Sequence, residues 1–109
     1  MSRILKVAAA QLGPITLKEP RSSAVKRMIV LMQDAKAKGA ELVIFPELAL
    51  TTFFPRWYTE DQSEIDKYFE TEMPNKDTEP LFAEARKLKI GFNFGFAELV
   101  MEKRVTRHF

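Results

Sequence analysis

Glu41-Leu-Val-Ile-Phe-Pro-Glu47, continued by Leu48-Ala-Leu-Thr-Thr-Phe-Phe-Pro-Arg-Trp57, is the stretch on which the fold turns. Residues 42–45 are an apolar run, short and rich in β-branched and aromatic side chains, which predicts a buried strand. Pro46 has no N–H to give to a ladder and ends it. Glu47 follows at once. In an open sheet of parallel strands, ligands collect at the strands' carboxyl ends. Glu47 is therefore the candidate acid delivered to a cleft.

Upstream, residues 4–10 predict a first strand interrupted only by Lys6, and Gly13, Pro14 and Pro20 make residues 11–20 a loop. Ser22 and Ser23 are candidate N-caps for a helix running to about Lys38. Its apolar face is Val25, Met28, Ile29, Met32 and Ala35, recurring at helical spacing. Gly39 is placed to close it, and Lys36 and Lys38 suit the negative end of its dipole. Strand, helix and strand joined by so short an exit loop predict a βαβ unit with parallel strands.

Downstream, Thr59-Glu-Asp-Gln62 has the form of a capping box, ahead of a short helical stripe at Ile65, Tyr68 and Phe69 that Pro74 ends. A second helix start at Asp77 or Thr78 precedes Leu81, Phe82, Ala85 and Leu88, with Pro80 tolerated in its first turn. Residues 90–100 read as one long strand. Ile90, Phe92, Phe94 and Phe96 form one face, suited to packing on helices; Gly91, Asn93, Gly95 and Ala97 form the other, which lets something approach closely. A turn at residues 101–104 and a last strand from Val105 to Phe109 complete the order β-α-β-α-α-β-β. That order predicts an α/β domain with a mixed sheet.

The chain of 109 residues allows one domain, with 46% hydrophobic and 29% charged residues and a net charge of +2. Its basic residues are scattered, so no polybasic block points to nucleic acid or an anionic membrane. The absence of cysteine excludes disulfides, thiolate metal sites and a cysteine nucleophile within these residues. No apolar run approaches the roughly 20 residues that span a bilayer, and the start lacks the apolar core of a signal peptide. An intracellular, cytoplasmic location is the resulting expectation. Because Phe109 falls where a last strand is only beginning, the expectation is also of a longer domain, whose remaining part covers the sheet's open edge and face.

The run Val43-Ile-Phe-Pro-Glu-Leu-Ala-Leu-Thr-Thr-Phe-Phe-Pro-Arg-Trp57 resembles the first catalytic motif of the nitrilase (carbon–nitrogen hydrolase) superfamily. Ala9-Ala-Gln-Leu-Gly-Pro14, Tyr68-Phe-Glu-Thr-Glu-Met-Pro74, Pro80-Leu-Phe82 and Ile90-Gly-Phe-Asn-Phe-Gly-Phe-Ala-Glu-Leu-Val100 are similar too, in the same order. The Thr51-to-Trp57 continuation narrows the resemblance to the carbamoylase branch. A departure is Asn75-Lys-Asp-Thr78, where a small residue usually follows Glu-Met-Pro.

The resemblance implies that residues 1–109 are the N-terminal portion of a single carbon–nitrogen hydrolase domain. Its fold would be a nitrilase-like four-layer α-β-β-α sandwich with mixed sheets, incomplete at Phe109. It implies a Glu-Lys-Cys triad in which Glu47 is the general base, with the lysine and the cysteine in later motifs. It implies a small-molecule N-carbamoyl amino acid or amide substrate, no cofactor, no metal, no nucleic-acid or membrane partner, and a homo-oligomer when complete. With no cysteine, these residues alone are expected to be inactive. Another amidase of the superfamily, such as a β-ureidopropionase, or a non-catalytic remnant are the alternative readings.

Other features carry less. Residues 53–57 either line a substrate pocket or pack beneath the loop, with Arg56 paired to an acid. Asn93 reads as a buried amide satisfied by backbone, Glu98 as a residue at a strand end, and the lone His108 makes no metal site. Glu60, Asp61, Glu70 and Glu72 read as solvated helix charges, and the phenylalanine stripe as core.

Overall fold

A computed structural model describes residues 3–100 and 103–108. Three strands form a parallel sheet in the order β1 (Val7–Ala9), β2 (Leu42–Ile44), β3 (Gly91–Asn93). The helix α1 (Arg21–Ala37) connects β1 to β2. A short helix α2 (Gln62–Asp66) and then α3 (Glu79–Leu88) lie between β2 and β3. Both crossovers step the same way across the sheet, so right-handed connections put α1 and α3 on one face. The two helices do pack against each other there. A second sheet pairs β4 (Gly95–Val100) antiparallel with β5 (Lys103–His108).

The register explains which residues become core. Ala8, Val43 and Phe92 stand level and face the helices; Val43 is fully buried. Val25, Met28, Met32 and Ala35 of α1 and Leu81, Phe82 and Ala85 of α3 close over them. Burying side chains of this size contributes roughly 1.5–3 kcal/mol each. Phe82 meets Phe92 edge-on at 5.2 Å, and Phe92 stacks on Phe94 at 5.8 Å, so the aromatic stripe is core. On the opposite face Val7 and Ile44 stay exposed. Gly91 lies there beside Leu42, whose Cδ1 would be 3.3 Å from an added Cβ. The close approach predicted for the small-residue face is made by this leucine.

Parallel and antiparallel pairing are thus both present, divided between two sheets. The predicted strand 90–100 is not continuous. It breaks at Phe94 because Asn93 bonds to Phe45 of the first sheet, whereas Gly95 turns to the backbone beyond β2. Residues 4–6 are not in β1, although Lys6 O still accepts Glu41 N–H at 2.8 Å, and Ile4 and Leu5 are exposed.

The helix ends also differ in part. Pro20, not a serine, is the N-cap of α1; its carbonyl accepts the N–H of Ser23 and Ala24, and the Ser23 hydroxyl donates to Glu19 instead. At the other end Gly39 closes α1 at φ 89°, with Ala40 N–H bonded to Ala35 O and Gly39 N–H to Lys36 O, a Schellman motif. The same pair of bonds closes α3, from Ile90 to Ala85 and Lys89 to Arg86, but with Lys89 left-handed at φ 55°.

The capping box at 59–62 does not form: Asp61 caps α2 by accepting Ser63 N–H. Thr59 Oγ1 accepts Asp61 N–H, and Gln62 donates to Asp66. That helix ends at Asp66, so Tyr68 and Phe69 follow it in a turn and Pro74 stops nothing. Thr78 is the N-cap of α3, as expected. β5 begins at Lys103, inside the predicted turn; Met101, Glu102 and Phe109 lie outside the described residues.

Candidate active site

β2 is the central strand of the parallel sheet, and its carboxyl end leads straight into the turn that carries Glu47. Beyond Ile44 the backbone remains tethered on both sides. Ala10 N–H bonds to Ile44 O and Phe45 N–H to Asn93 O, each at 2.8 Å. Pro46 gives no N–H, but its carbonyl accepts Gly95 N–H at 3.4 Å, and Ala49 N–H returns a bond to Gly95 O at 3.0 Å. One glycine thus holds the turn on both flanks of Glu47.

Inside that clamp Leu48 adopts φ 51°, a left-handed conformation that costs a non-glycine residue roughly 1–2 kcal/mol. Burial offsets the strain: Leu48, Ala49 and Leu50 are 7%, 1% and 2% exposed. The buried trio faces inward and the reversal leaves Glu47 exposed at the surface. Among the described residues no hydrogen bond or ion pair engages its carboxylate. A carboxylate kept unpaired on a constrained backbone is available to accept a proton from a group placed beside it.

After the turn, Thr51 and Thr52 are buried, and Thr51 Oγ1 donates to Thr52 O at 3.0 Å. A 3-10 turn, Phe54–Arg56, follows. Phe54 lies flat on Tyr68 with ring centroids 5.2 Å apart, and tilted against Phe69 at 5.4 Å. Phe54, Trp57, Ile65 and Tyr68 line an apolar cavity of about 150 Å³. Phe54 thus packs under the loop, Phe54 and Trp57 line a cavity that Glu47 does not border, and Phe53 is half exposed. Arg56 does not pair with an acid among the described residues; its guanidinium sits 4.9 Å over the Trp57 ring.

Glu70 corrects the sequence reading. It is no solvated helix charge but is 4% exposed, outside any helix, and bridged by backbone to Glu98 of β4. Its carboxylate accepts from Arg21 Nε at 2.6 Å and from Asn75 Nδ2 at 3.0 Å. Arg21 Nη2 also donates to Lys67 O, and Asn75 Oδ1 accepts the N–H of Asp77 and Thr78 at the start of α3. One residue thereby ties three elements together, its carboxylate holding the starts of α1 and α3 and its backbone holding β4. Sequence reading missed it because the arginine lies 49 residues away, with no local pattern to announce it.

Asn93 is half-buried, and its side-chain amide has no partner among the described residues, contrary to the satisfied amide expected. Glu98 lies within β4 and pairs with Arg107 across the ribbon at 2.6 Å. His108 is the last residue of β5. Among the described residues no group of three metal-ligating side chains gathers, and no helix is long and apolar enough to cross a membrane.

The architecture is that of an α/β protein with a carboxylate at the carboxyl end of a parallel sheet. A family model described as carbon-nitrogen hydrolase matches residues 6–106, nearly the whole chain. The chain belongs to the carbon-nitrogen hydrolase family, of the nitrilase superfamily, whose chemistry is the hydrolysis of C–N bonds.

Proposed function

We propose that Glu47 is the general base of a C–N hydrolase that acts on N-carbamoyl-D-amino acids. The observation that carries this reading is the unpaired, exposed Glu47 carboxylate at the end of β2, on a turn clamped by Gly95 and strained at Leu48. The choice of substrate rests on the sequence of residues 51–57, which resembles the carbamoylase branch.

In this chemistry Glu47 takes the proton of a cysteine thiol, and the thiolate attacks the ureido carbonyl carbon. A lysine stabilises the oxyanion that forms. The terminal C–N bond then breaks, with the proton passing back through Glu47 to the departing ammonia. Glu47 next deprotonates a water that hydrolyses the resulting thioester. The carbamate so released loses carbon dioxide and leaves the D-amino acid. These 109 residues contain no cysteine, so the nucleophile is a residue outside this sequence.

The test is ammonia release from an N-carbamoyl-D-amino acid, by this chain and by a version extended through the family's lysine and cysteine motifs. Activity in the extended protein alone, lost in Glu47→Gln, supports the proposal. Activity in the 109-residue chain overturns the thiolate route. Preference of the extended protein for an aliphatic amide or a β-ureido acid replaces the substrate.

A further inference from the structure

We propose that the cleft at the amino-terminal end of α1 binds a small oxyanion, a phosphate or carboxylate group. The cleft, of about 270 Å³, is lined by Lys18, Glu19, Arg21, Thr52 and Lys67 among others.

The helix end supplies the first part. α1 opens with no acid in its first turn and no side-chain cap. The first bonded amide is that of Ser23, so the N–H groups of Arg21 and Ser22 have no acceptor among the described residues. Over 17 residues the peptide dipoles place partial positive charge at this end, where Pro20 and Arg21 border the cleft.

Charge balance supplies the second. Three cations line the cleft against one carboxylate. Glu19 is committed to Arg27 Nη1 at 2.9 Å and to Ser23 Oγ at 3.0 Å. Arg21 is committed to Glu70, and Lys67 to Glu64 at 2.8 Å. Lys18 has no carboxylate partner among the described residues. Its charge has no carboxylate beside it, and the Arg21 and Ser22 amides have no acceptor among the described residues.

Thr52 supplies the third, independently of charge. It is 6% exposed, and its hydroxyl has no hydrogen-bond partner among the described residues. Yet among those residues no sealed side-chain oxygen or nitrogen lacks a partner. The Thr52 Oγ1 therefore touches solvent, and the residue lines the cleft. A donor held by burial, beside an unmatched lysine and free helix amides, suits a compact anion with several acceptor oxygens. A cation or an apolar group would leave all three unmet. This site does not depend on the role proposed for Glu47.

The test is titration of the ¹⁵N-labelled 109-residue chain with inorganic phosphate and, separately, acetate, at constant ionic strength. Saturable amide shifts at Arg21, Ser22 and Thr52 are expected. Thr52→Val is expected to weaken binding roughly tenfold and Lys18→Gln by about fivefold, with Thr52→Ser restoring it. Tighter binding of phosphate than of acetate assigns the site to phosphate groups; the reverse assigns it to carboxylates. Glu47→Gln leaves the titration unchanged. Because Lys18 is exposed, its substitution leaves the core intact and decides the matter if Thr52→Val fails to fold. Absence of saturable shifts with both anions, or shifts that survive Lys18→Gln unchanged, overturns the site.

Discussion

Glu47 and Glu70 are the same side chain set in opposite surroundings. Glu70 is buried, its carboxylate is filled by Arg21 and Asn75, and it fastens three elements. Glu47 is exposed and unpaired, and it is the backbone beneath it that is fastened, through Gly95 and the buried Leu48. A buried carboxylate held by two donors is out of reach of an outside group. One with free lone pairs on a rigid turn can accept a proton from such a group and holds its direction. At Glu70, the structural acid, the side chain is organised; at Glu47, the proposed general base, it is the backbone below that is organised.

The largest effect expected to sharpen this contrast is on catalysis. In the extended protein, Glu47→Gln is expected to lower kcat/KM by roughly 10²–10⁴-fold, while its unfolding free energy from urea titration changes by less than about 0.5 kcal/mol. A large stability loss would make Glu47 structural and erase the comparison. Next comes the converse. Glu70→Ala leaves Arg21, only 23% exposed, beside an empty site, and is expected to destabilise the chain by about 3 kcal/mol in urea unfolding. A loss within about 0.5 kcal/mol would show the Glu70 node to be ornamental.

Backbone strain gives a smaller test. Leu48 and Lys89 both sit left-handed, at φ 51° and 55°, but only Leu48 adjoins a candidate catalytic residue. Lys89→Gly keeps the Schellman closure of α3 and removes the steric cost. It is expected to raise stability by about 0.5–1 kcal/mol and leave the activity of the extended protein unchanged.

The smallest effect is on pH dependence, through a third carboxylate. Burial pushes the Glu19 carboxyl up, but hydrogen bonds from Arg27 and Ser23 and the charge of Arg27 outweigh it and hold the group below the usual carboxylate range. A folded value depressed below the unfolded one, about 4.3 for glutamate, means stability present above that value and lost as pH falls through the depressed one. The urea midpoint is therefore expected to fall as pH drops from 5 towards 3. Arg27→Leu is expected to flatten that part of the profile. An unchanged profile in the variant would remove Glu19 from the account.

Much of this was readable because it is local. The apolar run at 42–45, Pro46 and Glu47 lie within a few residues of each other, and Gly39 ends its helix by a rule that needs only its own dihedral freedom. The parallel pairing of β1 and β2 followed from the length of the connection between them. What escaped depends on contacts between distant segments. Glu70 finds its arginine across the fold, and Gly95 reaches the Glu47 turn from another strand. The alternation at 90–97 holds through the break at Phe94, so periodicity alone cannot show that the strand changes sheets. The aromatic face was legible; the change of partner was not.

That change of partner makes the ribbon a gauge of length. Phe94 alone separates β3 in one sheet from β4 in the other, and Gly95 grips the Glu47 turn immediately beyond it. Side chains along the ribbon can be exchanged and the grip kept, because it is made by main-chain atoms. An added or deleted residue at this point would slide the glycine off its mark and set Phe92 and Phe96 on opposite sides. The segment behaves as a measured tether, open to changes of letter and closed to changes of spelling length.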